Sequence, residues 1–129
     1  MITNALAGQK TSLDFGADFP RQFIYVEDAA KAIIAALDRP ALPRRTYNVT
    51  GDTYLTFAQV ADTVRSILAA ADIDLKPGPD PVDDRQGKFA TKAARDDFGY
   101  EPSFSFEDGV RAYVDWLDAE RILQLREKS

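Results

Sequence analysis

A chain of 129 residues, 45% of them hydrophobic, has the size of one domain and enough apolar content to bury a core. Its 16 Lys and Arg against 21 Asp and Glu give a formal charge of -5, with a sequence pI near 4.7, so nothing electrostatic favours duplex nucleic acid or an anionic membrane. Cysteine and histidine are both absent, which excludes a disulfide framework, a thiolate or imidazole zinc site and Ser-His-Asp catalysis.

No stretch approaches the roughly 18 uninterrupted apolar residues of a membrane span, and Met1 to Asn4 lack the basic start and long apolar run of a secretory signal. A cytoplasmic address is the expectation.

In chain order, Phe23, Ile24, Tyr25 and Val26 are four β-preferring residues in a row and predict a short buried strand. That strand leads into a helix over Ala29–Leu37, nearly all apolar, with Asp28 at the junction as an acid able to cap the first amides. Pro40 and Pro43 then mark a turn, and Thr46 to Val49 read as a second short strand stopped by Thr50, Gly51 and Asp52.

Thr56 and Gln59 have the spacing of a capping box. After them Phe57, Val60, Ala61, Val64, Ile67, Leu68 and Ala71 recur at steps of three and four, the pattern of an amphipathic helix. Ile73 to Leu75 could form an edge strand, whereas Lys76 to Asp84, with three prolines and a glycine, must be a loop. A short helix over Lys92–Phe98 should close on Gly99, and Ser105 to Asp108 should open a last helix whose inner face carries Phe106, Val110, Tyr113, Val114 and Leu117.

These elements predict a single domain over 1–129: a small mixed α/β unit of three or four helices and two or three short strands. Each large side chain buried on these stripes contributes about 1.5–3 kcal/mol, but a chain this short buries only roughly two-thirds of its surface, so stability is marginal without a neighbour. The acids Asp80, Asp83 and Asp84 lack calcium-loop spacing and read as a solvated loop. Phe104, Phe106, Tyr113 and Trp116 read as core and helix face, since no basic groove accompanies them.

Taken together, the run Arg21 to Asp28, the Tyr47 to Gly51 strand and turn, the capped helix from Thr56, the Phe98 to Pro102 turn and the Phe106 to Gly109 helix start resemble the C-terminal part of the extended short-chain dehydrogenases, of NAD-dependent epimerase/dehydratase type. The resemblance runs from Gly16 to Leu117 and rests on the order and spacing of these motifs. It implies the substrate-binding subdomain of an enzyme acting on a nucleotide-activated sugar, without the Rossmann half.

In that family the N-terminal half supplies a Gly-x-x-Gly-x-x-Gly loop and a Tyr-x-x-x-Lys pair. Here the seven glycines are never three apart, and no lysine stands four residues after any tyrosine. The resemblance therefore implies no catalytic and no cofactor-binding residue in this chain, with NAD or NADP serving a complete enzyme; the composition offers no metal site.

What it carries over are substrate contacts. Arg21 and Arg85 match the arginines that hold the diphosphate, a task suited to a permanently charged, bidentate guanidinium. Tyr25 faces either the sugar or the core, and Asn48 is open in the same way. Asp28 matches the junction acid and is expected to cap its helix and tie the strand before it to the sheet. One departure is Ala90, where relatives often have aspartate.

Two classes of function follow. The chain is either the substrate-binding portion of an NAD(P)-dependent nucleotide-sugar epimerase or dehydratase, cut from a longer polypeptide and inert alone, or a free-standing, non-catalytic module that binds a sugar nucleotide or a separate Rossmann protein. A purely structural oligomerisation unit is the weaker third. Reading the gene upstream of Met1 in frame separates the first two. Either way an apolar surface, on the Ala29–Leu37 helix and the segment before it, should await the missing half or be hidden by self-association.

Overall fold

The computed structural model describes residues 1–81 and 86–127, with side chains described as far as residue 120. Its element order is α1 (Ile2–Leu6), β1 (Thr11–Leu13), β2 (Pro20–Gln22), α2 (Val26–Leu37), β3 (Tyr54–Thr56), α3 (Phe57–Ile67), β4 (Ile73–Leu75), α4 (Lys92–Phe98) and α5 (Phe106–Glu127). The result is a small mixed α/β unit, as expected, with five helices and four short strands among the described residues instead of three or four and two or three, and of the predicted strands Ile73–Leu75 is in place.

Two two-stranded ladders replace the predicted strands. Ile73–Leu75 does pair, as β4, parallel to β1 with Thr11 opposite Ile73 and Leu13 opposite Leu75. The second ladder is antiparallel: Pro20, Arg21 and Gln22 of β2 face Thr56, Leu55 and Tyr54 of β3. Neither Phe23 to Val26 nor Thr46 to Val49 is a strand.

The reason is that β-preferring side chains make a strand only where a second backbone lies alongside. Phe23 offers its carbonyl to the Gly51 N–H at 3.0 Å, but the chain then turns into α2 at Val26. Among the described residues, the backbone of Tyr47, Asn48 and Val49 meets no other backbone group in a hydrogen bond.

The helix signals are obeyed closely. Thr56 Oγ1 accepts from the Gln59 N–H at 3.2 Å and Gln59 Oε1 accepts from the Thr56 N–H at 2.9 Å, the reciprocal box read from the sequence. The two remaining first-turn donors, Phe57 N–H and Ala58 N–H, reach the carbonyls of Phe19 and Ala17 at 3.2 and 2.9 Å, so α3 enters the fold with its amides satisfied. Gly99 closes α4 at φ 73°, ψ 26°, and the N–H groups of Gly99 and Tyr100 return to the carbonyls of Arg95 and Ala94. Ser105 Oγ accepts from the Asp108 N–H at 3.1 Å and caps α5.

Packing forms two clusters. Ala61 and Val64 of α3, Ile73 of β4 and Val110 of α5 make one, with Phe106 and Ile67 at its edge. Ala32 of α2, Ala94 and Phe98 of α4 and Tyr100 make the other. The predicted α5 face is buried at Val110 and Val114, but Tyr113 is 39% exposed and stacks with the more exposed Trp116 at 5.9 Å.

Helix α2 is turned against the usual arrangement. Its small residues Ala32, Ala35 and Ala36 pack inward, while Val26, Ile33, Ile34 and Leu37 stand 58–78% exposed. With Ala30, these positions form one stripe at helical spacing.

Candidate functional site

Asp28 is 1% exposed and lies inside the first turn of α2, whose N-cap is Tyr25 without a side-chain cap. Its expected capping role is corrected accordingly, because both carboxylate oxygens are taken up by donors outside the helix. Instead Oδ2 accepts from the backbone N–H of Ser103 at 3.0 Å and of Phe104 at 2.9 Å, and Oδ1 accepts from Ser103 Oγ at 2.8 Å. It ties α2 to the segment leading into α5. Burial pushes its pKa up, but the donors from Phe104 and Ser103 and the Lys31 ammonium at 3.7 Å outweigh that and hold it below the ordinary carboxylate range.

This tie sets Phe104 beside Tyr25, whose rings meet at 4.4 Å and 43°. Behind Tyr25 stands Gly109, where any Cβ would sit 3.3 Å from Tyr25 Cβ; the bare helix leaves room for that side chain. The two aromatic residues then wall a groove of about 740 Å³ with Phe23, Phe106, Tyr113 and Trp116. Tyr25 is thus half-buried on a groove wall. The groove continues to Val26 at the start of the exposed α2 stripe.

The other predicted contacts lie elsewhere. Arg21 sits mid-ladder opposite Leu55, half-buried, with Nη1 donating to the Pro20 carbonyl at 3.0 Å. Asn48 is exposed and donates from Nδ2 to the Ala90 carbonyl at 3.4 Å. Arg85 lies outside the described residues, as do Asp83 and Asp84, so the pairing of the two arginines is not part of the described geometry.

A second, polar cleft of about 590 Å³ lies between residues 88–91 and α4, reached by Gln22. Sequence reasoning passed over Gln22 and Tyr54, both of which bond to the segment beside this cleft. Their one available signal was position, since Gln22 stands directly between Arg21 and Phe23 in the motif. Tyr47, from the predicted second strand, is a structural residue: its hydroxyl donates to Asp97 Oδ2 at 2.8 Å and its ring meets Phe98 edge-on at 5.1 Å. Burial and the Asp97 carboxylate raise its pKa.

The start of α2 does not fit the pyrophosphate of a dinucleotide. The extended-to-helix junction at Tyr25, where a pyrophosphate would meet helix amides, carries Glu27 and Asp28 in the first turn and no glycine-rich loop, and acids there repel a phosphate. Among the described residues no group of three or more acidic side chains could hold a metal, and no helix is long and apolar enough to cross a membrane.

Fold and motifs together define a unit of the extended short-chain dehydrogenase type. The chain is related to the C-terminal part of the dTDP-glucose 4,6-dehydratases and sugar-nucleotide epimerases of that family. It is 28% identical over 128 residues to dTDP-glucose 4,6-dehydratase from Escherichia coli, across 90% of this chain and 35% of that enzyme. No protein-family model matches it.

Among solved structures, it superposes on dTDP-glucose 4,6-dehydratase from Bacillus anthracis, in complex with NAD, with a TM-score of 0.76 and 27% identity, covering 92% of this chain and 37% of the other. UDP-glucose 4-epimerase from Thermotoga maritima, with UDP-glucose, shares the fold at a TM-score of 0.80 and 21% identity, with 92% and 38% covered. The chain therefore spans little more than a third of the length of these relatives.

Proposed function

We propose that this chain is the substrate-binding portion of an NAD(P)-dependent nucleotide-sugar epimerase or dehydratase, and that it does not turn substrate over alone. Arg21 and Arg85 hold the diphosphate, Tyr25 borders the sugar, and hydride and proton transfer belong to a Rossmann half that packs on the outer stripe of α2. A cytoplasmic address belongs to the same reading. Asn48, given as a substrate contact by the resemblance, is better accounted for by its bond to Ala90.

The observation that carries this reading is α2. A finished surface helix turns its large apolar residues inward, yet Val26, Ile33, Ile34 and Leu37 face out while alanines face in. Such a stripe supports a missing neighbour, and relatives nearly three times as long supply one by class.

The test mixes the chain with the separately expressed Rossmann half of a dTDP-glucose 4,6-dehydratase. A one-to-one complex that turns over a thymidine diphosphate sugar with NAD is the expected result, and Ile33→Asp with Leu37→Asp should abolish the complex while preserving the fold. Arg85→Ala should weaken sugar-nucleotide binding, and Arg85→Lys should restore it only partly. Coenzyme-dependent turnover by the chain alone would refute this division of labour. Without a partner half, the same stripe should drive self-association, visible by light scattering.

A further inference from the structure

Residues 86–90 form neither helix nor strand, and all five are exposed. Their backbone is nevertheless held by side chains from three other segments. The Tyr54 hydroxyl donates to the Gln86 carbonyl, Gln22 Oε1 accepts from the Phe89 N–H at 2.5 Å, and Asn48 Nδ2 donates to the Ala90 carbonyl at 3.4 Å. Gln22 also uses its other end, donating from Nε2 to the Gly51 carbonyl at 3.3 Å.

Two of the three holders are one register pair: Gln22 on β2 lies opposite Tyr54 on β3. The ladder fixes them relative to each other, so they grip the strap from a common rigid base. Without them an exposed irregular backbone would exchange its hydrogen bonds with water and regain its conformational freedom.

The strap forms one wall of the polar cleft against α4, and its central residue is Lys88. The neighbouring cations in the cleft are engaged, Arg95 by Asp52 and Lys92 by Asp96, each at 2.6 Å. Lys88 has no ion-pair partner among the described residues.

We propose that Gln22 and Tyr54, which clip the 86–90 strap onto the β2–β3 ladder, and Asn48, which holds its far end at Ala90, are positioning residues that keep Lys88 at the cleft to receive the phosphate charge of the ligand. This rests on the reading that the chain binds a sugar nucleotide, and it adds residues that reading does not use.

The experiment takes the 129-residue chain and compares wild type with Gln22→Met, which keeps the bulk and removes both hydrogen bonds, Gln22→Glu, which keeps the acceptor for Phe89, and Lys88→Ala. Amide hydrogen exchange at Phe89 and thymidine diphosphate affinity by calorimetry are the readouts, with exchange in α3 as the folding control. Expected for Gln22→Met is a roughly tenfold faster Phe89 amide and about a five- to tenfold loss of affinity, with α3 unchanged. Gln22→Glu should keep Phe89 protected. Lys88→Ala should lower affinity similarly and add little in the Gln22→Met background, because both changes act on one contact.

An unchanged Phe89 amide in Gln22→Met overturns the clip. A released Phe89 with undiminished affinity overturns the link to the ligand while leaving the sugar-nucleotide reading intact. A wild-type chain that binds neither thymidine nor uridine diphosphate defeats that reading and this inference together.

Discussion

The carboxylate of Asp28 and the backbone of Ser103, 75 positions apart in sequence, meet at 3.0 Å, and the Ser103 hydroxyl adds a second bond at 2.8 Å. This pair joins α2 to the approach of α5 and places Phe104 against Tyr25. The groove wall therefore depends on one buried acid.

Replacing Asp28 with alanine should cost about 3 kcal/mol, since three donors lose a charged acceptor in a buried site. Urea denaturation measures it as a lower midpoint with an unchanged slope. The same residue predicts a pH dependence. Its folded pKa lies below the ordinary 3.8, so between the two values the unfolded chain binds the proton first. Its contribution is complete above pH 3.8 and is lost as the pH falls through the folded value. Asp28→Asn should flatten this acid limb.

Gly51 marks a close approach that tolerates no side chain. A Cβ there would lie 2.2 Å from the Phe23 carbonyl oxygen, the same atom that accepts the Gly51 N–H at 3.0 Å. Gly51→Ala should therefore destabilise by about 2–3 kcal/mol. Gly87→Ala, which meets nothing within 4 Å, should stay within about 0.5 kcal/mol in the same denaturation assay.

Thr56→Ala removes one half of the capping box and exposes the Gln59 N–H. A loss of about 1 kcal/mol is expected, and Thr56→Ser should recover most of it. Thermal melts followed by circular dichroism would show the order wild type, serine, alanine.

Tyr100 donates its hydroxyl to the Thr50 carbonyl at 3.0 Å from a buried site. Burial first, then the nearby Asp28 and Asp52 charges, push its pKa up to about 12. As pH rises above the ordinary 10.0, the unfolded chain gives up this proton while the folded one keeps it, so stability falls over that window. Ultraviolet titration should show a tyrosine step at about pH 12, and Tyr100→Phe should remove that step at a cost of about 1 kcal/mol.

Much of this was legible in the residues because the signals are local. The Thr56–Gln59 box, the left-handed Gly99 and the Ser105 cap are each satisfied within a few positions of themselves, so sequence spacing alone specifies them. The inward faces of α3 and, apart from the exposed Tyr113, of α5 follow from helical period. The lack of a glycine-rich loop and of a Tyr-x-x-x-Lys pair is likewise a property of the written chain.

What the sequence left open depends on partners far away in the chain. Phe23 to Val26 and Thr46 to Val49 have the composition of strands, but a ladder needs a second backbone, and the fold gives that to Pro20–Gln22 instead. Helix α2 is apolar nearly all round, so its period could not say that alanines would face in and Ile33, Ile34 and Leu37 out. Asp28, Asn48 and Gln22 are polar side chains whose roles are set by whichever donor or acceptor arrives opposite them, and only tertiary packing brings Ser103, Ala90 and Phe89 there.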